Sequence, residues 1–140
     1  MENKYFEYFN SNPTAKIFKN GKPKTWTKDD SSVRTISKIL NKEWINVYDE
    51  LTLIAKKYFD VIGSRTVIDE IMKNNGFNLV SVGKPKSGEK RPTVNEFCSS
   101  HKNGEFVLNV ASHIIPVVNG KFYDVEDFGE SSVYSWFEKY

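Results

Sequence analysis

Two separated stretches carry the residue types that acid–base and nucleophilic chemistry need. The first is Ser112 to Asp127, reading SHIIPVVNGKFYDVED. Its Asn119-Gly120 pair is a strong two-residue hairpin signal, because a type I′ turn needs positive φ at both central positions. Counting outward from that turn sets Val118 opposite Lys121, Ile115 opposite Asp124 and His113 opposite Glu126. Asp124 is then the diagonal neighbour of His113 on one face, since strand side chains alternate with period two. A carboxylate beside an imidazole orients the ring as a general base. On this geometry alone, a half-buried strand histidine with a satisfied hydrogen bond is the commoner outcome.

The second stretch is Asp29 to Leu40, DDSSVRTISKIL. Apolar residues at 33, 36, 39 and 40 keep helical spacing. Asp29 or Asp30 is expected to cap the helix by accepting from its unpaired backbone N–H groups. Ser31 and Ser32 then lie in the first turn. There the helix dipole and free N–H donors favour developing negative charge. A nucleophile and half of an oxyanion hole suit that place. Read alone, the same residues are simply good helix starters.

The elements that must hold these stretches follow from the rest of the chain. Residues 1–12 are polar with Tyr5, Phe6, Tyr8 and Phe9 interspersed, and read as a short strand or an arm. Thr14 to Phe18 reads as a further short strand, and residues 20–27 as a lysine-bearing turn with Trp26 as a packing anchor. Glu43 to Tyr58 is amphipathic, with Trp44, Val47, Tyr48, Leu51, Ile54 and Tyr58 in one stripe. Ser64 to Asn75 is a third helix, closed by Gly76 in the left-handed conformation. Phe77 to Val82 alternates like a strand. Pro92-Thr93 opens a short helix bearing Val94, Phe97 and Cys98. Phe106 to Val110 and the aromatic tail 131–140 read as strands. The expected organisation is one domain: an arm over 1–26, a mainly helical part over 27–100 and an antiparallel sheet over 105–140.

Composition narrows the function classes. The chain has 140 residues, 39% of them hydrophobic and 14% aromatic, which suits one globular domain with a real core. A net charge of +2 does not single out nucleic acid as a partner. Lys84, Lys86, Lys90 and Arg91 form a basic loop, but no aromatics interleave them, so a solvated loop is expected and nucleic acid is not. The single cysteine excludes an internal disulfide and a multi-cysteine metal site. Cys98 and His101 lack further metal ligands or an orienting group, so Cys98 reads as a core thiol and His101 as a surface residue. No metal or other cofactor is expected. No apolar run is long enough to span a membrane, and a cytoplasmic setting in a bacterium or a phage-infected host is expected.

Taken in order, a helix-start serine, a helical half and then a sheet bearing His113 and Asp124 resemble the papain-like cysteine peptidases. The likeness is closest to a small phage and bacterial branch near the bacteriocin-processing, C39-like peptidases. It is carried by Asp30-Ser31-Ser32-Val33-Arg34-Thr35-Ile36-Ser37, where that branch has D-C-V-V-R-A-I-S. It continues through Leu40 to Leu51 (LNKEWINVYDEL), Asn75-Gly76-Phe77 and Arg91 to Phe97 (RPTVNEF). It ends with Ser112-His113 through Tyr123-Asp124 and Asp127, spanning about residues 27 to 138. The resemblance implies an α+β papain-like fold, with a nucleophile-bearing helix packed on a small twisted antiparallel sheet. It implies catalytic roles for the positions of Ser31, His113 and Asp124. It also implies a side-chain oxyanion donor about six residues before the nucleophile, where Thr25 stands and Asn20 is the nearest amide.

The departures bear on activity. Ser31 stands where the family has cysteine. A helix start and an imidazolium bring a thiol's ionisation within reach, whereas a hydroxyl is far harder to ionise. Ser31 therefore implies a natural loss of peptidase activity or a Cys→Ser change made to silence the enzyme. Val125-Glu126 replaces a Thr-Trp pair and sets an extra carboxylate opposite His113. The implied function is hydrolysis of a peptide- or isopeptide-type bond in a protein target by a phage-encoded protein whose nucleophile is replaced. The alternative is an inactive pseudo-enzyme that binds and inhibits a host protein. The partner in either case is a protein or peptide, and the oligomeric state is left open.

Overall fold

The computed structural model describes residues 2–17, 26–81 and 83–139. The element order is β1 (Phe6–Tyr8), a 3-10 helix (Pro13–Ile17), α1 (Ser31–Leu40), α2 (Trp44–Tyr58), α3 (Arg65–Asn74), β2 (Phe77–Ser81), α4 (Val94–Ser100), β3 (Glu105–Val110), β4 (His113–Val118), β5 (Lys121–Asp124) and β6 (Ser135–Lys139). The class is α+β, with one sheet in the order β1-β5-β4-β3-β6-β2.

The Asn-Gly turn falls where its backbone demands put it. Asn119 and Gly120 have φ of 49° and 79°, and Val118 pairs with Lys121. Two helix starts are capped by their own side chains. Ser64 accepts from the Val67 N–H, and Thr93 forms a capping box with Glu96. Gly76 ends α3 at a φ of 83°.

Period two divides the sheet between two cores. Phe77, Val107 and Phe137 pack with Val33, Ile36, Val47, Leu51, Val67 and Met72 of α1–α3. Leu108, Ile115, Val117 and Phe122 pack with Val94, Phe97 and Cys98 of α4. His113 is in phase with Ile115 and Val117, and Asp124 with Phe122, so the pair shares one side of the sheet end.

Three expectations need correction. The sheet is mixed, not antiparallel: β1 runs parallel to β5, with Phe6 opposite Phe122 and Tyr8 opposite Asp124. The Phe6 and Phe122 rings meet at 5.3 Å, and the Phe9 N–H donates to the Asp124 carbonyl, so the arm becomes an edge strand. Strand β2 also leaves the helical part of the chain to pair with β6. Residues 13–17 form a 3-10 turn instead of a strand, started by Asn12, whose Oδ1 accepts from the Thr14 N–H and hydroxyl. His101 is half-buried and not on the surface, stacked on Phe97 at 3.8 Å and edge-on to Phe106 and Trp136.

Candidate active site

Helix α1 presents two faces, and their contacts orient Ser31 and Ser32. Arg34 and Thr35 lie three and four positions beyond Ser31 and therefore share its side of the helix. Arg34 Nη1 donates to Asp124 Oδ1 at 3.0 Å, and Thr35 Oγ1 donates to the Ile114 carbonyl at 3.0 Å. That side faces the β4–β5 hairpin. Ser32 points to the α2–α3 loop, where a Cβ added to Gly63 would meet its Oγ at 3.1 Å. Ser31, not Ser32, is thus the hydroxyl turned toward β4.

Between these elements lies a cleft of about 600 Å³. Ser31, Ser32 and Val33 line it from the start of α1, Val61 to Gly63 from the α2–α3 loop, and Asn109, Val110, Ser112 and His113 from the facing ends of β3 and β4 and the turn between them. Ser112 takes a φ of 55° and starts β4 at His113. Ser31 and His113 share the cleft, and among the described residues no hydrogen bond joins the Ser31 hydroxyl to the ring. The adjoining groove of about 450 Å³ shares Asp29, Asp30, Val33 and Ile62 with the cleft. It is lined further by Trp44, Ile45 and Tyr48.

His113 Nε2 lies 2.6 Å from Asp124 Oδ2. The Asp124 side chain is 2% exposed, and its other oxygen accepts from Arg34 and from the Val125 N–H. A carboxylate paired in this way is an acceptor on both oxygens, so Nε2 carries the ring proton. Nδ1 is left as the basic nitrogen. Glu126 does not stand opposite the ring: β5 ends at Asp124, Glu126 is exposed, and the His113 ring packs against Phe128 at 4.6 Å.

Asp30 occupies the N-cap position of α1 but does not cap it. Its ψ of 23° departs from the extended backbone of the working caps Ser64 and Thr93, so its carboxylate turns away from the first-turn amides. It accepts instead from Asn12, Trp26, Arg34 and Trp44 at 2.8–3.0 Å. Burial alone would raise its pKa; the hydrogen bonds from Asn12, Trp26 and Arg34 outweigh burial and hold it below the usual carboxylate range. The amides of the first turn are thereby left without a side-chain acceptor from the cap residue, beside the cleft.

Sequence reasoning brought His113 to Asp124 but missed Arg34 and Asn12. The Arg34 signal lay in its place three residues after Ser31 on the same helix face. Thr25 and Asn20, the oxyanion candidates, lie outside the described residues. Burial pushes the Cys98 thiol up to about 12, so it stays protonated in the core. The side chains of Lys84, Lys86 and Lys90 are exposed, and Arg91 lies over the Tyr134 ring. Among the described residues, no three His, Cys, Asp or Glu side chains gather as metal ligands, and no helix is long and apolar enough to cross a membrane. Comparison with protein-family models, with curated proteins and with solved structures returns no match.

Proposed function

We propose that this chain carries the site of a papain-like acyl-transfer hydrolase, with Ser31 at the nucleophile position, His113 as base and Asp124 as the residue that orients it. The observation that carries the reading is the His113–Asp124 bond of 2.6 Å beside the cleft that Ser31 also lines. In this reading the imidazole withdraws the proton of the nucleophile through Nδ1, and Asp124 stabilises the imidazolium that forms. The first-turn amides of α1 stabilise the oxyanion of the tetrahedral intermediate. The apolar groove running on from the cleft suits an extended polypeptide, so the bond attacked is of the peptide, thioester or isopeptide type in a protein target. The phage setting and the papain-like relationship are carried by the sequence resemblance.

A second reading is favoured by Ser31 itself. Against a neutral imidazole a hydroxyl is a much poorer nucleophile than a thiol, and such a site suits a non-catalytic module that binds a host protein in the same cleft. One experiment separates the two. Ser31→Cys and the chain that retains Ser31, both carrying Cys98→Ala, are treated with an electrophilic probe for activated thiols. Labelling confined to Ser31→Cys and abolished by His113→Ala is the expected outcome for the hydrolase scaffold. Absence of labelling in a folded Ser31→Cys protein would leave the binding module as the surviving reading.

A further inference from the structure

We infer that Arg34 is the positioning residue of this site, locking the Asp124 carboxylate against His113 and tying the imidazole to the helix turn that bears Ser31. The inference builds on the reading of Ser31 and His113 above. It starts from an unusual use of one guanidinium. Arg34 is 6% exposed and bridges two carboxylates, with Nε 2.8 Å from Asp30 and Nη1 3.0 Å from Asp124. Both carboxylates are themselves buried.

The geometry leaves Asp124 one way to sit. Its Oδ1 is taken by Arg34 and by the Val125 N–H at 2.7 Å, so only Oδ2 remains for the ring. Turning the carboxyl group would break both Oδ1 bonds together. The far end of the bridge is equally fixed, because Asp30 is held by Asn12, Trp26 and Trp44. A continuous line of buried polar contacts therefore runs from the Asn12 turn through Asp30, Arg34 and Asp124 to His113. Along it, the helix start and the imidazole are kept in one register.

The residue type follows from this task. A guanidinium offers separate nitrogens in one rigid plane and can serve two acceptors at once, whereas a lysine ammonium is a single point on a flexible stem. Without Arg34, Asp124 could rotate, and either ring nitrogen of His113 could take the proton. The nitrogen facing the cleft would then be basic only part of the time.

The test reads the ring directly. Nitrogen–proton correlation spectra of the full chain at neutral pH, with His113 distinguished from His101, report which ring nitrogen is protonated. The expected spectrum has Nε2 protonated and Nδ1 free; Arg34→Gln and Arg34→Lys give mixtures of the two forms. In the Ser31→Cys, Cys98→Ala background, Arg34→Gln slows iodoacetamide alkylation of the introduced thiol by roughly ten- to a hundred-fold, part of the roughly hundred- to ten-thousand-fold that a positioned general base contributes. Arg34→Lys falls between. If Arg34→Gln does not fold, Arg34→Lys carries the test, since it keeps the charge but cannot reach both carboxylates. A folded Arg34→Lys with an unchanged ring form and alkylation rate would overturn the proposal, as would loss of folding in both variants, which assigns Arg34 to stability alone. An inert introduced thiol with a ring that still responds to Arg34 removes the nucleophile reading and leaves the hold of Arg34 on His113 standing. An activated thiol with a ring indifferent to Arg34 does the reverse.

Discussion

The carboxylate of Asp30 receives donors from Asn12, Trp26, Arg34 and Trp44 while almost out of contact with water. Truncating it leaves the buried guanidinium of Arg34 with Asp124 as its one remaining carboxylate and takes the acceptor away from Asn12 and Trp44. Asp30→Ala is expected to destabilise the fold by about 3–5 kcal/mol, the range for removing one member of a buried ion pair, read from denaturant melts. The same carboxylate makes stability depend on acid. Its folded pKa lies below its ordinary value of 3.8, so its contribution is full above that value. The contribution fades as pH falls below 3.8 toward the depressed folded value. Melting temperature is therefore expected to drop on acidification in that window, and with a shallower slope in Asp30→Asn. A slope identical in the two proteins would show that other groups set the acid limit. Single residues were only partly legible in the chain: an aspartate before a helix announces a cap, and Asp30 sits at the cap position, but its backbone angle and four donors, two of them the distant Asn12 and Trp44, give it other work.

Helix and turn boundaries obeyed local chemistry more closely. The Asn-Gly turn, the Ser64 and Thr93 caps and the Gly76 terminator each act within a few residues, so the chain spells them out. Helix α2 ends less comfortably. Its C-cap is Phe59, in the left-handed region at a φ of 53° with 99% of its surface exposed. A side chain with a Cβ is strained there, and this one loses no packing when removed. Phe59→Gly is expected to stabilise by about 0.5–1 kcal/mol after allowance for the greater freedom of glycine in the unfolded chain. For a domain of this size that is a rise of roughly 2–4 °C in Tm by calorimetry. An unchanged or lower Tm would mean that the exposed ring has contacts in the folded state after all. The 3-10 turn at residues 13–17 went unread because Pro, Thr and Ile suit a strand edge as well as a turn, and the deciding bonds come from the Asn12 side chain.

The sheet as a whole ties the two ends of the chain to the site. Strand β1 lies against β5, and the Phe9 N–H holds the Asp124 carbonyl from the sheet's edge. Deleting residues 2–10 removes that strand, the Phe6–Phe122 contact and the Phe9 bond at once. A loss of roughly 2–3 kcal/mol is expected, the scale of one buried aromatic side chain, together with weaker ordering of the His113 ring in nitrogen–proton spectra. Full retention of both would show that the arm decorates the body without supporting the site. Alternation and helical spacing were enough to declare an α+β chain, to place most strands and helices, and to bring His113 beside Asp124, because those facts depend on backbone periods and one tight turn. The parallel pairing of β1, the capture of β2 by β6 and the meeting of α1 with the hairpin joined residues far apart in the chain. Such contacts are selected by the burial of whole faces and by paired charges, and no local pattern records them. Arg34 is the clearest case: its neighbour Asp30 is one helical turn away and readable, while Asp124 becomes its partner only when the helix is laid against the sheet.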